Sequence, residues 1–134
     1  MKPHLHAKSS AKRFGGKPSD YIEIHRLMDS SKSSFSDQRH RALTHQSWFV
    51  GYILELIFGV TLTNSDGKEV SVRDIGEQHV AEDFKGVIPN VQDFLQEMEH
   101  KDWMSGKGVP PSYQRIAAKK TITKTEPLEN TIFD

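Results

Sequence analysis

Residues 48–60 read WFVGYILELIFGV, thirteen positions interrupted by one charge, Glu55. A bilayer span needs roughly 20 apolar residues, so this run is read as a buried helix of a soluble protein. A segment that is apolar nearly all round has to be covered on most sides. The remaining elements are therefore expected to wrap it. The helix is expected to extend backwards, over 37–58, and to stop at Gly59. Ala42, His45, Trp48 or Phe49, Tyr52 or Ile53, and Leu56 would line its core-facing side. A chain of 134 residues can bury a core of this kind within one domain.

The flanking sequence supplies shorter elements. HAKSSAKRFGG suits a short helix stopped by Gly15 and Gly16. KPSDYIEIHRLMDSSK follows, with Asp20 and Glu23 at capping-box spacing and Tyr21, Ile24, Leu27 and Met28 at helical intervals. In VTLTNSDGKEVSV the residues Val60, Leu62, Val70 and Val72 alternate around Asn-Ser-Asp-Gly, a hairpin pattern near 60–72. RDIGEQHVAEDFKG is expected to be a helix capped by Asp74 and closed by Gly86. IPNVQDFLQEMEH is expected to be another, with Val91, Phe94, Leu95 and Met98 facing the core. From Gly106 the composition turns polar and proline-punctuated. The expectation is thus a mainly α, compact helical domain over 1–105 around one central apolar helix, with one small hairpin, followed by an extended polar tail over 106–134.

Composition removes several classes of function. The chain has no cysteine, which excludes disulfides, thiolate metal sites and a cysteine nucleophile and suits a reducing, cytoplasmic setting. Its 18 basic and 18 acidic residues cancel, which argues against nucleic acid as the main partner. No apolar leader opens the chain, and no membrane partner is expected. Walker, dinucleotide-binding, Gly-x-Ser-x-Gly and His-Glu-x-x-His motifs are all missing.

The remaining chemistry lies in histidines and carboxylates. His25 and Asp29 are four apart, as are His79 and Asp83, with Glu82 alongside. One helical turn puts each pair on one face, where it can hold a divalent ion, orient an imidazole or make a plain salt bridge. His40 and His45 are five apart, about 140° around a regular helix, and diverge. His45 lies on the core side, where an imidazole needs a hydrogen-bond partner or a metal. Asp74 and Glu77 also fit a capping box. His4 and His6, close to the start of the chain, are read as peripheral.

The segments FGG…DY..IH, MDSSK, RHRALTH, TNSDG..V.VRDIGEQHVAED and IPNVQDFL, in order from His4 to Met104, resemble a family of small bacterial and phage proteins known as a domain of unknown function. The Gly-Glu-Gln-His-Val-x-Glu-Asp block is the specific part. The resemblance implies that His25, Asp29, Lys32, Arg39, His40, Arg41, His45, Glu77, His79, Glu82 and Asp83 belong to the family pattern. It implies no activity. The pattern often has a second histidine after the one matched by His45, where this chain has Gln46. HRLMDSSK followed by RHRALTH is also loosely similar to the His-Asp helical phosphohydrolases, although the His-Asp dipeptide itself is absent.

Three readings of function follow. In the first the protein is a non-catalytic interaction or structural component of a larger assembly, such as a phage particle in a bacterial host. A protein partner or a second copy would then bind through Tyr113, Ile116, Ile122, Leu128, Ile132 and Phe133 of the tail. In the second it is a metal-dependent helical hydrolase acting on a phosphoester or nucleotide. His25, Asp29, His45, His79 and Asp83 would hold a divalent metal (Zn, Mn, Fe, Ni or Mg). Glu77 or Glu82 would position or deprotonate water, and Lys32, Arg39 and Arg41 would hold an anion. In the third it binds a small ligand or nucleotide.

Overall fold

Helix α1 (Pro3–Phe14) starts with proline in its first turn, where the missing N–H costs nothing, and ends at Gly15, whose φ of 91° suits glycine. This is a computed structural model, and it describes residues 1–108. The tail expectation beyond that point, with Tyr113, Ile116, Ile122, Leu128, Ile132 and Phe133, lies outside the described residues. A 3-10 turn (Pro18–Asp20) leads into α2 (Ile22–Asp29), which buries Ile24, His25 and Met28. The expected Asp20–Glu23 capping box does not form. The Asp20 carboxylate instead accepts from Lys17 N at 2.8 Å and from Ser65 N and Oγ at 2.9 and 2.7 Å, which ties this turn to the hairpin.

The single helix expected over 37–58 is broken. Residues Gln38–Ala42 form a 3-10 turn, and residues 43–46 are turns and bends. Helix then resumes, through a π-helical turn (Phe49–Ile53) into α3 (Leu54–Phe58), and stops at Gly59 with φ 92°. A π turn takes up an extra residue and so shifts the phase of the apolar stripe. Val50 and Leu54 are therefore the fully buried residues, with Phe49 and Phe58 packed beside them. Trp48, Tyr52 and Leu56, expected on the core side, lie exposed on the other side.

The hairpin forms as expected. β1 (Thr61–Thr63) pairs antiparallel with β2 (Glu69–Ser71), and Leu62 faces Val70. Helix α4 (Val72–Asp83) follows directly. Its cap is Ser71, whose Oγ accepts from Asp74 N at 3.2 Å, so Asp74 sits inside the first turn instead of capping it. Gly76 lets α4 approach α3 closely, since a Cβ there would lie 2.5 Å from Leu54 Cδ1 and 3.0 Å from Val50 Cγ1. After α4 comes α5 (Val91–Leu95), held by a reciprocal Asn90–Asp93 cap. Leu95 and Met98 are exposed, contrary to the core role expected of them.

The mainly helical architecture with one small hairpin is what the sequence implied. α1 packs on α2 and α4, and α4 also packs on α3. Tyr21, Ile24, Met28, Val50, Leu54, Val70, Val72, Ile75 and Val80 form the apolar core. These elements belong to one unit, Met1–Glu97; a second unit, Met98–Asp134, contains a 3-10 turn at Asp102–Ser105 closed by Gly106. No helix among the described residues is long and apolar enough to cross a membrane.

Candidate metal centre

Where α1, α2 and α4 meet, and beside the turn before α3, the core changes character. His6, His25, His45 and His79 are all fully buried. Helical spacing places them: His6 and Ser10 share a face of α1, His25 and Asp29 a face of α2, and His79 and Asp83 a face of α4. His45 comes from the irregular 43–46 segment, whose break from regular helix turns its ring towards α4.

Hydrogen bonds fix which nitrogen of each ring carries a proton. Gln78 Nε2 donates to His6 O at 3.2 Å and to Glu82 Oε1 at 2.9 Å, so Gln78 Oε1 is the acceptor left for Ser10 Oγ at 2.6 Å. Ser10 has then used its proton and accepts from His25 Nε2 at 2.7 Å. Burial, with the nearby rings of His79 and His6, lowers the His25 pKa to about 3. His25 is therefore neutral, its Nδ1 is a lone pair, and His79 Nδ1 donates to it at 2.9 Å. In the same way Thr44 Oγ1 donates to Met28 O at 2.7 Å and must accept from His45 Nδ1 at 2.8 Å. His6 Nδ1 donates to Glu82 Oε1 at 2.8 Å.

Three rings thus have Nδ1–H engaged, and the Nε2 atoms of two of them, His45 and His79, meet at one spot. His45 Nε2 is 2.9 Å from Asp83 Oδ2 and 3.8 Å from Asp29 Oδ1. His79 Nε2 is 3.1 Å from Asp29 Oδ1 and 3.4 Å from Asp83 Oδ2. His6 Nε2 lies 3.2 Å from Asp83 Oδ1 but is not aligned with it, and is a buried side-chain atom without a hydrogen-bond partner. One ligand atom from each of Asp29, His45, His79 and Asp83 lies within 4.8 Å of every other. Metal–nitrogen and metal–oxygen bonds of about 2.0–2.1 Å put tetrahedral donors about 3.3 Å apart, and the four nitrogen–oxygen distances here, 2.9 to 3.8 Å, bracket that value.

The electrostatics favour a cation. Burial opposes charge on Asp83 and Asp29, yet the neighbouring imidazoles of His45, His6 and His79 hold Asp83 far below the usual carboxylate range, and His79 holds Asp29 below it too. Burial pushes His45 down despite Asp83, so a proton on its Nε2 is disfavoured. On His79 burial is outweighed by hydrogen bonds to Asp29 and Asp83, and its pKa is raised. A proton on His79 still leaves His45 Nε2 facing Asp83 and His6 Nε2 without a hydrogen-bond partner. A divalent ion answers all of them together.

The chain belongs to the family described as Domain of unknown function (DUF6915). The match covers residues 1–104. No curated protein and no solved structure matches the chain. Membership therefore brings no activity with it, and the chemistry rests on the geometry.

Within this family member, five sequence-derived candidates meet in one cluster: His25, Asp29, His45, His79 and Asp83. His25 stands behind His79 as its hydrogen-bond acceptor, and the third inward Nε2 comes from His6. His6, His25 and His79 also form a group of neighbouring nitrogens, with the His6 and His79 rings stacked at 3.7 Å, but the His25–His79 hydrogen bond already occupies it. Glu82 accepts from His6, Ser9 and Gln78, and these contacts lower its pKa against the effect of burial. It orients the His6 ring. Glu77 makes no hydrogen bond or ion pair with the cluster among the described residues. Lys32 and Arg41 line a cavity beside Asp29, and Arg41 Nη2 is 3.9 Å from Asp83 Oδ2. Arg39 is paired with Asp37 on the surface, outside that cavity.

Sequence reasoning set His6, Ser10, Gln78 and Thr44 aside. A signal existed for the first two: His6, Ser10 and Phe14 recur every four residues on α1. The signal is weak because histidine and serine at helical spacing ordinarily mark a solvent-facing stripe.

Proposed function

We propose that this protein holds a divalent metal ion between Asp29, His45, His79 and Asp83, with His6 next to it, and that the centre hydrolyses a phosphate ester entering from the cavity beside Asp29. What carries the reading is the convergence of the His45 and His79 Nε2 atoms, each with its proton held on Nδ1, on the carboxylates of Asp29 and Asp83. An all N/O set suits Zn, Mn, Fe, Ni or Mg. A bound ion would polarise an ester and lower the pKa of a coordinated water. The residues of this chain divide the remaining work. Thr44 and His25 hold the His45 and His79 tautomers, and Glu82 holds His6. Arg41 and Lys32 face an incoming anion, and Asp29, about a fifth exposed, is the ligand nearest the cavity.

The test is metal analysis of protein purified without chelator or affinity metal, together with hydrolysis of p-nitrophenyl phosphate. About one equivalent of metal, lost in Asp83→Ala, supports the centre. Turnover that is lost with the metal and restored by adding it back supports the hydrolase. A metal-free wild type that takes up none on dialysis overturns both.

A second reading has its own observation. Trp48, Tyr52, Leu56, Ile57 and Val60 are all at least half exposed, a concentration of apolar side chains of the kind that marks docking surfaces. It supports a protein partner or a second copy on this side of the molecule. Tyr52→Asp with Leu56→Asp should then abolish any self-association seen by sedimentation and leave metal content unchanged.

A further inference from the structure

The cavity beside Asp29 has about 480 Å³ of volume, within the range of small-molecule sites. Among the described residues its wall carries the cationic side chains of Lys2, Arg26, Lys32 and Arg41 and one carboxylate, Asp29. Among the described residues Lys2 and Lys32 form no ion pair. Arg26 is shared with Glu23 across the surface at 2.9 Å. Arg41 lies over the Phe84 ring at 5.4 Å and only 3.9 Å from Asp83, so its guanidinium stands between the cavity and the metal ligands. A metal ion would use the Asp29 charge, and the cavity would then be cationic on every charged wall. Such a surplus suits a dianion with several oxygens better than a lone carboxylate, for which one arginine fork is enough.

The lining is equally informative about the rest of the ligand. Among the described residues no Phe, Tyr or Trp lines the cavity, and the His40 ring is buried with Nδ1 against Ser31 Oγ at 2.8 Å. Nucleobases are held by stacking on exposed aromatic faces, and the one aromatic ring on the described wall, His40, is only 5% exposed. Ser30 and Gln38 supply hydroxyl and amide groups instead, which match the hydroxyls of a sugar or polyol.

We infer that the cavity takes a small phosphate monoester with an aliphatic, hydroxylated remainder, its phosphate held by Lys32 and Arg41 beside the metal, and that it does not select a nucleotide base. The inference rests on the metal-centre reading for the position of the phosphate, but Lys32 touches no ligand and reports on the cavity separately.

The experiment is calorimetric titration of metal-loaded wild type, Lys32→Ala and Lys32→Glu with inorganic phosphate, glycerol 3-phosphate and AMP, with metal content read on the same samples. The expected result is binding of phosphate and glycerol 3-phosphate, AMP no tighter than glycerol 3-phosphate, and an affinity loss of about tenfold in Lys32→Ala, as for one lost charge-assisted contact. The loss should be larger in Lys32→Glu, with metal content constant in all three. Unchanged affinity in both variants, or AMP binding about tenfold tighter than glycerol 3-phosphate, overturns the inference and leaves the metal centre standing. Absence of metal from the wild type overturns the centre instead, and is visible before any ligand is added.

Discussion

His6, His25, His45 and His79 are fully buried, while Trp48, Tyr52, Leu56 and Ile57 keep half or more of their surface in water. Ranked by hydropathy alone, the two groups would be exchanged. The difference shows what each region depends on. The segment around α3 is covered on one side, by α4, and only the two positions that meet Gly76 at close range, Val50 and Leu54, are sealed. The imidazoles are sealed because their outer nitrogens have partners, which removes most of the cost of burying polar groups. The inner nitrogens of His45 and His79 face the carboxylates of Asp83 and Asp29 at 2.9 and 3.1 Å. One region is held by shape and the other by satisfied valence.

That contrast can be broken in graded ways. The largest effect is expected from the metal. At a free metal concentration of about 1,000 times Kd, binding stabilises the fold by about 4 kcal/mol. Stripping it with a chelator should lower the melting temperature of wild type and leave Asp83→Ala unmoved; equal shifts in both would mean the cluster stands without an ion. Leu54→Ala comes next, costing about 2–5 kcal/mol in denaturant unfolding through the cavity it leaves, with metal content unchanged. If metal were lost as well, the two regions would be one cooperative unit.

Gly76→Ala should cost about 1–3 kcal/mol, since the new methyl meets Leu54 and Val50 and α4 has to shift away. The same measurement checks it, and a stabilised variant would show that α3 yields freely. Leu56→Ser should change stability by no more than about 0.5 kcal/mol, because that side chain is already in water; a larger loss would reveal a partner surface covering it.

The smallest effect is a pH dependence far from the cluster. Hydrogen bonds from Lys17 N, Ser65 N and Ser65 Oγ depress the Asp20 pKa below its usual 3.8. A depressed carboxylate contributes stability above 3.8 and loses it as pH falls through the lower, folded value. The melting-temperature gap between wild type and Asp20→Asn should therefore be present at neutral pH and close in strong acid. A gap that widened in acid would reverse the assigned sign.

Much of the fold was legible in local chemistry. Gly15 and Gly59 stop helices where glycine is needed, and Asn64–Gly67 turns a hairpin whose register pairs Leu62 with Val70. The i, i+4 pairs His25–Asp29 and His79–Asp83 marked the right faces of α2 and α4. The phase of the apolar helix was not legible, because a π turn and the break at 43–46 depend on how the helix docks and leave no mark in a periodicity count.

The sequence by itself therefore determined a helical chain with one hairpin, its helix stops, and two faces carrying histidine and aspartate in reach of one another. Tertiary structure alone decided that the two faces meet, that His6 joins them from another helix, and that His25 stands behind His79. It also decided the proton on each ring, because a tautomer is set by the partner opposite, and Ser10, Gln78 and Thr44 become partners only once α1, α2, α4 and the 43–46 turn are packed together.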